Sequence, residues 1–239
     1  MIEVLAARAS WCAPEEKILW CHPMSNSAGQ FVLYAVPGLD EFGKPRKFSR
    51  TAVEAASGAA ALFLEALLSQ GETGNTAHDR NVPWVVVSGK GRDCLAVSYL
   101  AEWQANGGNS TKYRDRPLFW VLTSHRLGLL DFTPRNESEG GGSSGLLGGL
   151  KKTLGSVWDR EEEQPANQEL ELPVPLVCAE VPRAAIASVE VVEQKVKGRT
   201  RHWFKVVLTD ESAFFISDSN HFHEKRFFDR MLAMTYGQE

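Results

Sequence analysis

Between Thr133 and Pro175 the chain changes character. TPRNESEGGGSSGLLGGLKKTLGSVWDREEEQPANQELELPVP is rich first in Gly and Ser, then in acid at Glu161, Glu162 and Glu163, with prolines at Pro134, Pro165, Pro173 and Pro175. Such a stretch buries too little apolar surface to offset the entropy of ordering it, so it reads as a long flexible insertion. Any core must therefore come from the rest of the chain, and the fold must tolerate a long excursion between two of its elements. The remainder is able to supply that core, since 43% of the 239 residues are apolar, an ordinary globular proportion. Charge is balanced: 26 Lys+Arg against 30 Asp+Glu gives −4, without the basic excess of a nucleic-acid coat.

On both sides of the insertion the pattern is β. WVVVSGKGRDCLAVSYL, from Trp84 to Leu100, reads as strand, Gly-containing turn, strand, and PLFWVLTSHRLGLLDF reads as two strands about a turn at Ser124 and His125. Beyond it, AAIASVEVVEQ, HWFKVVLTD and SAFFISD are three more, parted by Lys197-Gly198-Arg199 and by Asp210-Glu211. From Asn220 to Tyr236 the period changes. Phe222, Phe228, Met231, Leu232 and Thr235 fall near multiples of 3.6, which predicts an amphipathic helix with Ser219 or Asn220 as N-cap and Gly237 just past its end.

Seven strands and a closing helix make a recognisable order. It resembles the pleckstrin-homology-like superfold, in particular the bacterial PH-like and GRAM-like families. Three stretches carry the likeness: Phe119-Trp120-Val121-Leu122-Thr123-Ser124-His125-Arg126-Leu127-Gly128-Leu129-Leu130, Val181-Pro182-Arg183-Ala184-Ala185-Ile186-Ala187-Ser188-Val189, and Val206-Val207-Leu208-Thr209-Asp210-Glu211-Ser212. Glu211 departs from it, because the family favours Gly there, and so does the insertion. The resemblance implies an α+β, mainly β fold, a seven-stranded bent sheet or barrel capped by the C-terminal helix, over residues 81–239 and interrupted at 133–177. Residues 1–80 are expected to form an N-terminal extension: a hairpin of KILWCHP and QFVLYAVPG, then an Ala-rich helix over Thr51–Leu68.

No pattern announces an enzyme. Cys12, Cys21, Cys94 and Cys178 lack CxxC spacing, which favours a reducing, cytoplasmic setting over a disulfide scaffold. His221 and His223 flank Phe222 without a zinc-ligand spacing, so no metal is expected. Ser88-Gly89-Lys90-Gly91 lacks the GxxxxGK[ST] spacing of a phosphate loop and reads as a hairpin turn leading to a strand. No GxSxG elbow or paired-carboxylate constellation is present, and no cofactor or small-molecule substrate is implied. The start, MIEVLAARASWCAPEEK, lacks the form of a secretory signal. The charge-free run Ala55–Leu64 is too short to span about 30 Å of hydrocarbon.

Two features point outward. Leu146, Leu150, Leu154 and Trp158 recur every four residues inside the insertion, widened by Leu147 and Val157, with Lys151 and Lys152 on the far side. Gly145, Gly148, Gly149 and Gly155 each cost about 1 kcal/mol relative to Ala, so this tethered helix needs a surface to fold against: a bilayer, a partner groove or the protein's own sheet. The second feature is Lys195, Lys197, Arg199 and Arg201, alternating about Gly198, which extended chain would present together to phosphate headgroups or an acidic partner. A solvated hairpin tip is the plainer reading of those four, with Glu190 and Glu193 close by. The expectation is a non-catalytic binding or scaffold module. It engages a partner protein or an anionic membrane surface, in the cytoplasm or peripherally at the inner membrane face.

Overall fold

The structure, a computed structural model, describes residues 2–24, 32–46, 83–108, 116–133, 172–196, 199–217 and 224–238. In chain order the elements are α1 (Ile2–Ser10), β1 (Ile18–Met24), β2 (Val32–Ala35), β3 (Val85–Ser88), α2 (Leu95–Ala105), β4 (Leu118–Thr123), β5 (Arg126–Asp131) and β6 (Leu176–Pro182). A 3₁₀ turn at Arg183–Ala185 leads to β7 (Ile186–Val196), β8 (Arg199–Leu208), β9 (Ala213–Ile216) and α3 (Glu224–Thr235).

These strands make two open sheets, β1-β4-β5-β6 and β2-β3-β9-β8-β7. Alternation along each strand decides what lies between them. Leu118, Trp120 and Leu122 of β4 share one core with Phe204, Val206 and Leu208 of β8 and with Phe214 and Ile216 of β9. Rings interlock across the gap, Trp20 edge-on to Phe204 at 5.3 Å and Trp120 tilted on Phe214 at 5.7 Å. The opposite side chains are buried as well. Val121 and Leu130 pack with Ala6 and Ala7 of α1, while Trp203, Phe215 and Val86 form a separate cluster on the far side of the five-stranded sheet. Burial on both faces explains why these strands read as continuous apolar runs.

Two helices close the edges. α2 packs on β6 of one sheet and β3 of the other, and α3 packs on β1 of the first and on β7 and β8 of the second. Phe228 and Met231 of α3 enter the core, Thr235 is buried, and Gly237 ends the helix at φ 68 with Gln238 N–H donating to Ala233 O at 2.9 Å. That is the glycine C-cap the sequence predicts. The predicted N-cap, Ser219 or Asn220, lies outside the described residues.

Several expectations are corrected. The described residues hold nine strands in two open sheets and no closed barrel, not one seven-stranded bent sheet. KILWCHP and QFVLYAVPG are not a hairpin: β1 pairs antiparallel with β4, while β2 pairs parallel with β3. Leu95–Ala105 is helix, not the second strand of a hairpin, because Ala96, Leu100 and Trp103 recur at helical spacing and are the residues it buries. Leu176 and Val177, counted in the insertion, begin β6. The α+β, strand-dominated class itself stands. Among the described residues no helix is long and apolar enough to cross a membrane, and Thr51–Leu68 lies outside them.

Candidate functional site

The basic hairpin comes first. Pairing of β7 with β8 sets Gln194 opposite Arg201, Lys195 opposite Thr200 and Val196 opposite Arg199. Opposite residues share a face, so positions 199 and 201 lie on one side of the ribbon and position 195 on the other. Positions 195, 199 and 201 therefore do not all share one face. Arg201 is only 7% exposed and lies on the same side as Trp203, at 0%. Lys197 and the side chains of Lys195 and Arg199 lie outside the described residues. β9 pairs with β8 only from Phe204 to Val207, so the ribbon from Glu193 to His202 runs on beyond it. Its flanks carry polar side-chain pairs, Lys205 Nζ donating to Glu190 at 2.6 Å and His202 Nε2 hydrogen-bonded to Glu193 at 2.9 Å.

The insertion leaves and returns at one place. Asp131, the last residue of β5, is paired with Leu176, the first of β6. Arg116 donates to Asp131 at 2.8 Å, and the other oxygen of that carboxylate accepts from the N–H and hydroxyl of Thr133. The base is thus fastened, and 134–171 is a closed excursion from a finished β-pair. Beside it the apolar residues Val174, Leu176 and Val177 are exposed, Val174 at 69%. Leu146, Leu150, Leu154 and Trp158 lie outside the described residues.

The segment Ser88–Cys94 needs a new reading. It joins a strand to a helix, not a strand to a strand as a hairpin turn would. The helix N-terminus is instead taken by the chain itself. Leu95 N–H donates to Asp210 Oδ2 at 2.7 Å and Ala96 N–H to Ser212 Oγ at 3.0 Å, while the Ser212 hydroxyl and N–H donate to Asp210 Oδ1. Burial pushes the Asp210 carboxyl upward, but these hydrogen bonds outweigh it and hold the group below the ordinary carboxylate range. An internal carboxylate occupies the position where a phosphate loop would hold its anion. Gly89 is required by close approach, since a Cβ there would overlap Cys94 Sγ.

A second network lies at the opposite end of the hairpin sequence motif. Glu16, 0% exposed, accepts from the Thr123 hydroxyl at 2.5 Å, from Arg126 Nε and Nη2 at 3.0 and 2.9 Å, and from Ala13 N–H at 2.9 Å. Arg126 also reaches both Glu180 oxygens at 3.1 Å and lies 4.6 Å above the Trp11 ring. Burial would raise the Glu16 pKa, yet the bonds from Arg126, Thr123 and Ala13 bring it down to about 2. The Thr123 and Arg126 of the family-like hairpin thus clamp the segment after α1. Sequence reading missed both networks, because they join residues about 110 positions apart, 16 to 126 and 95 to 210.

Among the described residues no group of three or more His, Cys, Asp or Glu side chains is placed to hold a metal. Cys21 and Cys178 are pushed up to about 12 by burial first and by nearby acids second, so both are held as thiols. No family model matches the chain, and neither a curated protein nor a solved structure does.

Proposed function

We propose that this chain is a non-catalytic PH-like binding module that engages a partner protein through the amphipathic segment Leu146–Trp158, carried on the excursion between β5 and β6. The observation that carries the reading is the Asp131–Leu176 pairing with its fastened base. An insertion returned to its point of departure leaves the sheet complete, so selection is free to use it for recognition. Exposed Val174, Leu176 and Val177 extend an apolar surface from that base. The antiparallel runs β4-β5-β6 in one sheet and β7-β8-β9 in the other, with α3 after them, support a PH-like reading of the part that follows the N-terminal extension.

A protein partner is favoured over an anionic surface. The chain carries a net −4, and Arg201, one of the four cations proposed for headgroup binding, is buried while Lys195 falls on the other side of the ribbon. The proposed location is cytoplasmic. The test compares wild type with a Leu150→Asp, Trp158→Ala variant of the full chain. The expected result is a reproducible partner captured by wild type and lost by the variant, at unchanged thermal midpoint and without sedimentation on phosphatidylserine vesicles at low salt. Sedimentation of wild type, abolished in the variant, would replace the partner reading by a membrane one, and equal behaviour of the two proteins would end both.

A further inference from the structure

The outer face of the four-stranded sheet is covered by α1. Val121, Leu130 and Phe132 are buried there and form one cluster with Ala6 and Ala7 of the helix. Phe132 directly follows β5, where the excursion leaves, and Leu172, on its returning side, packs on the same cluster. Both feet of the excursion therefore rest on the cluster that α1 covers. The helix brings little apolar surface to this contact: its fully buried side chains are the two alanines, while Ile2 and Leu5 are exposed. Trp11, just past its end, fastens it. The backbone N–H of Trp11 donates to Ala7 O at 2.9 Å, and its ring lies so close to Gly128 that a Cβ there would come within 2.6 Å of it. Trp11 O accepts from Arg126 Nη2 at 2.8 Å, and the indole N–H donates to Glu180 at 3.2 Å. A short helix that buries only small side chains and is tied mainly at one end is a unit able to open apart from the sheets.

We propose that α1 is a clasp on the base of the excursion: seated, it holds Phe132 and Leu172 against the sheet, and released, it loosens both while the core between the sheets stays closed. The two positions are discrete, because Trp11 either lies on Gly128 or leaves it, and Ala6 and Ala7 move with the same helix. When they leave, Val121, Leu130 and Phe132 face water, and the feet lose the apolar contacts that order them. Asp131 still bonds Thr133 and pairs with Leu176, so the strands themselves remain joined. Coupling of this kind is reciprocal: whatever draws the excursion from its base weakens the seat of α1, and whatever seats α1 tightens the base. It holds whatever the excursion binds.

Hydrogen–deuterium exchange on the full chain, with no partner present, tests this in both directions. Ala7→Gln overfills the seat of the helix. It is expected to lower protection of the Trp11 and Cys12 amides, and of those of Phe132 and Thr133, by at least about tenfold, with the β8 amides from Phe204 to Val207 unchanged, as for a unit that opens locally. Leu172→Ala should lower protection of the Trp11 and Cys12 amides in return. Should Ala7→Gln not fold, Trp11→Ala unseats the same helix and is read at Cys12, Phe132 and Thr133. Loss of protection in α1 with Phe132 and Thr133 as in wild type would overturn the proposal, as would a loss shared equally by β8 or an α1 that does not respond to Leu172→Ala. So would α1 amides unchanged in every variant, because Ala7 and Trp11 would then not be what seats the helix.

Discussion

The carboxylate of Asp210, in the turn after β8, accepts the backbone N–H of Leu95 at 2.7 Å and so caps a helix 115 residues earlier in the chain. The first turn of α2 has no intrahelical partner for its N–H groups, and its own N-cap, Cys94, makes no side-chain capping hydrogen bond. The turn between β8 and β9 supplies what Cys94 does not. Asp210→Ala should therefore lower stability by about 1–2 kcal/mol, as the loss of a helix cap does, and Ser212→Ala by about 1 kcal/mol. The double substitution should cost less than the sum, because the Ser212 hydroxyl donates to Asp210. Urea unfolding of the four proteins checks this. The pH dependence has a fixed sign: for a carboxyl held below 3.8 the contribution is complete above that value and is lost as pH falls below it toward the lower pKa of the folded state.

How far the sequence carries depends on the range of the interaction. The turn at Ser124 and His125, the Gly237 cap and the stripe of Phe228, Met231 and Thr235 are local, and the residues within a few positions of each decide them. α2 was legible in principle, since Ala96, Leu100 and Trp103 keep helical spacing. The neighbouring Val85–Val87 run and Gly89 and Gly91 made the hairpin pattern look continuous, and the cap that settles the helix is Asp210, far away. β1 and β2 misled for a related reason. Two apolar runs separated by a Gly-containing loop resemble a hairpin, but each finds its partner in a different sheet, a choice made by long-range packing. Register divides the basic positions: alternation holds along one strand, while pairing of β7 with β8 sets position 195 on the face opposite 199 and 201.

Glu16 and Arg126 make the strongest pH prediction. With its carboxyl held at about 2 against an ordinary 4.5, Glu16 contributes stability that is complete above pH 4.5 and is lost as pH falls toward 2. Glu16→Gln keeps the shape and removes the charge, leaving Arg126 to rely on Glu180. It should cost about 3 kcal/mol at neutral pH, the scale for breaking a buried pair by removing one partner. It should also flatten the acid limb of the stability curve. Thermal midpoints of wild type and variant between pH 2 and 7 read both effects, and parallel curves would refute the assignment.

Trp20 and Thr235 tie the first strand to the last helix. The indole Nε1–H donates to Thr235 Oγ1 at 2.8 Å, and that hydroxyl donates onward to Met231 O at 2.7 Å. Thr235→Val preserves the volume and strands a buried indole N–H, at a cost of about 1–3 kcal/mol. Trp20→Phe removes the donor along with part of the ring that packs on Phe204, so it should cost more. In equilibrium unfolding, Trp20→Phe combined with Thr235→Val should be less destabilised than the two losses added.

Glu211 offers a gain. It is the non-glycine residue with positive φ among the described residues, at 67, in the position where the resembled family favours Gly. A side chain in left-handed conformation costs about 1 kcal/mol, and Gly accepts that conformation freely. The side chain does pair with Lys90 at 2.5 Å, but both partners are 71% exposed, and such pairs contribute about 0–1 kcal/mol. Relief of the backbone and loss of the pair therefore oppose each other, and relief outweighs the loss. Glu211→Gly should raise stability by about 0.5 kcal/mol at low salt and by up to about 1 kcal/mol at high salt, where screening has already weakened the pair. Glu211→Ala tells the two effects apart: it loses the pair, keeps the strain, and should fall below wild type at low salt. If Glu211→Gly and Glu211→Ala unfold at the same urea concentration, backbone strain at this turn is not the cause.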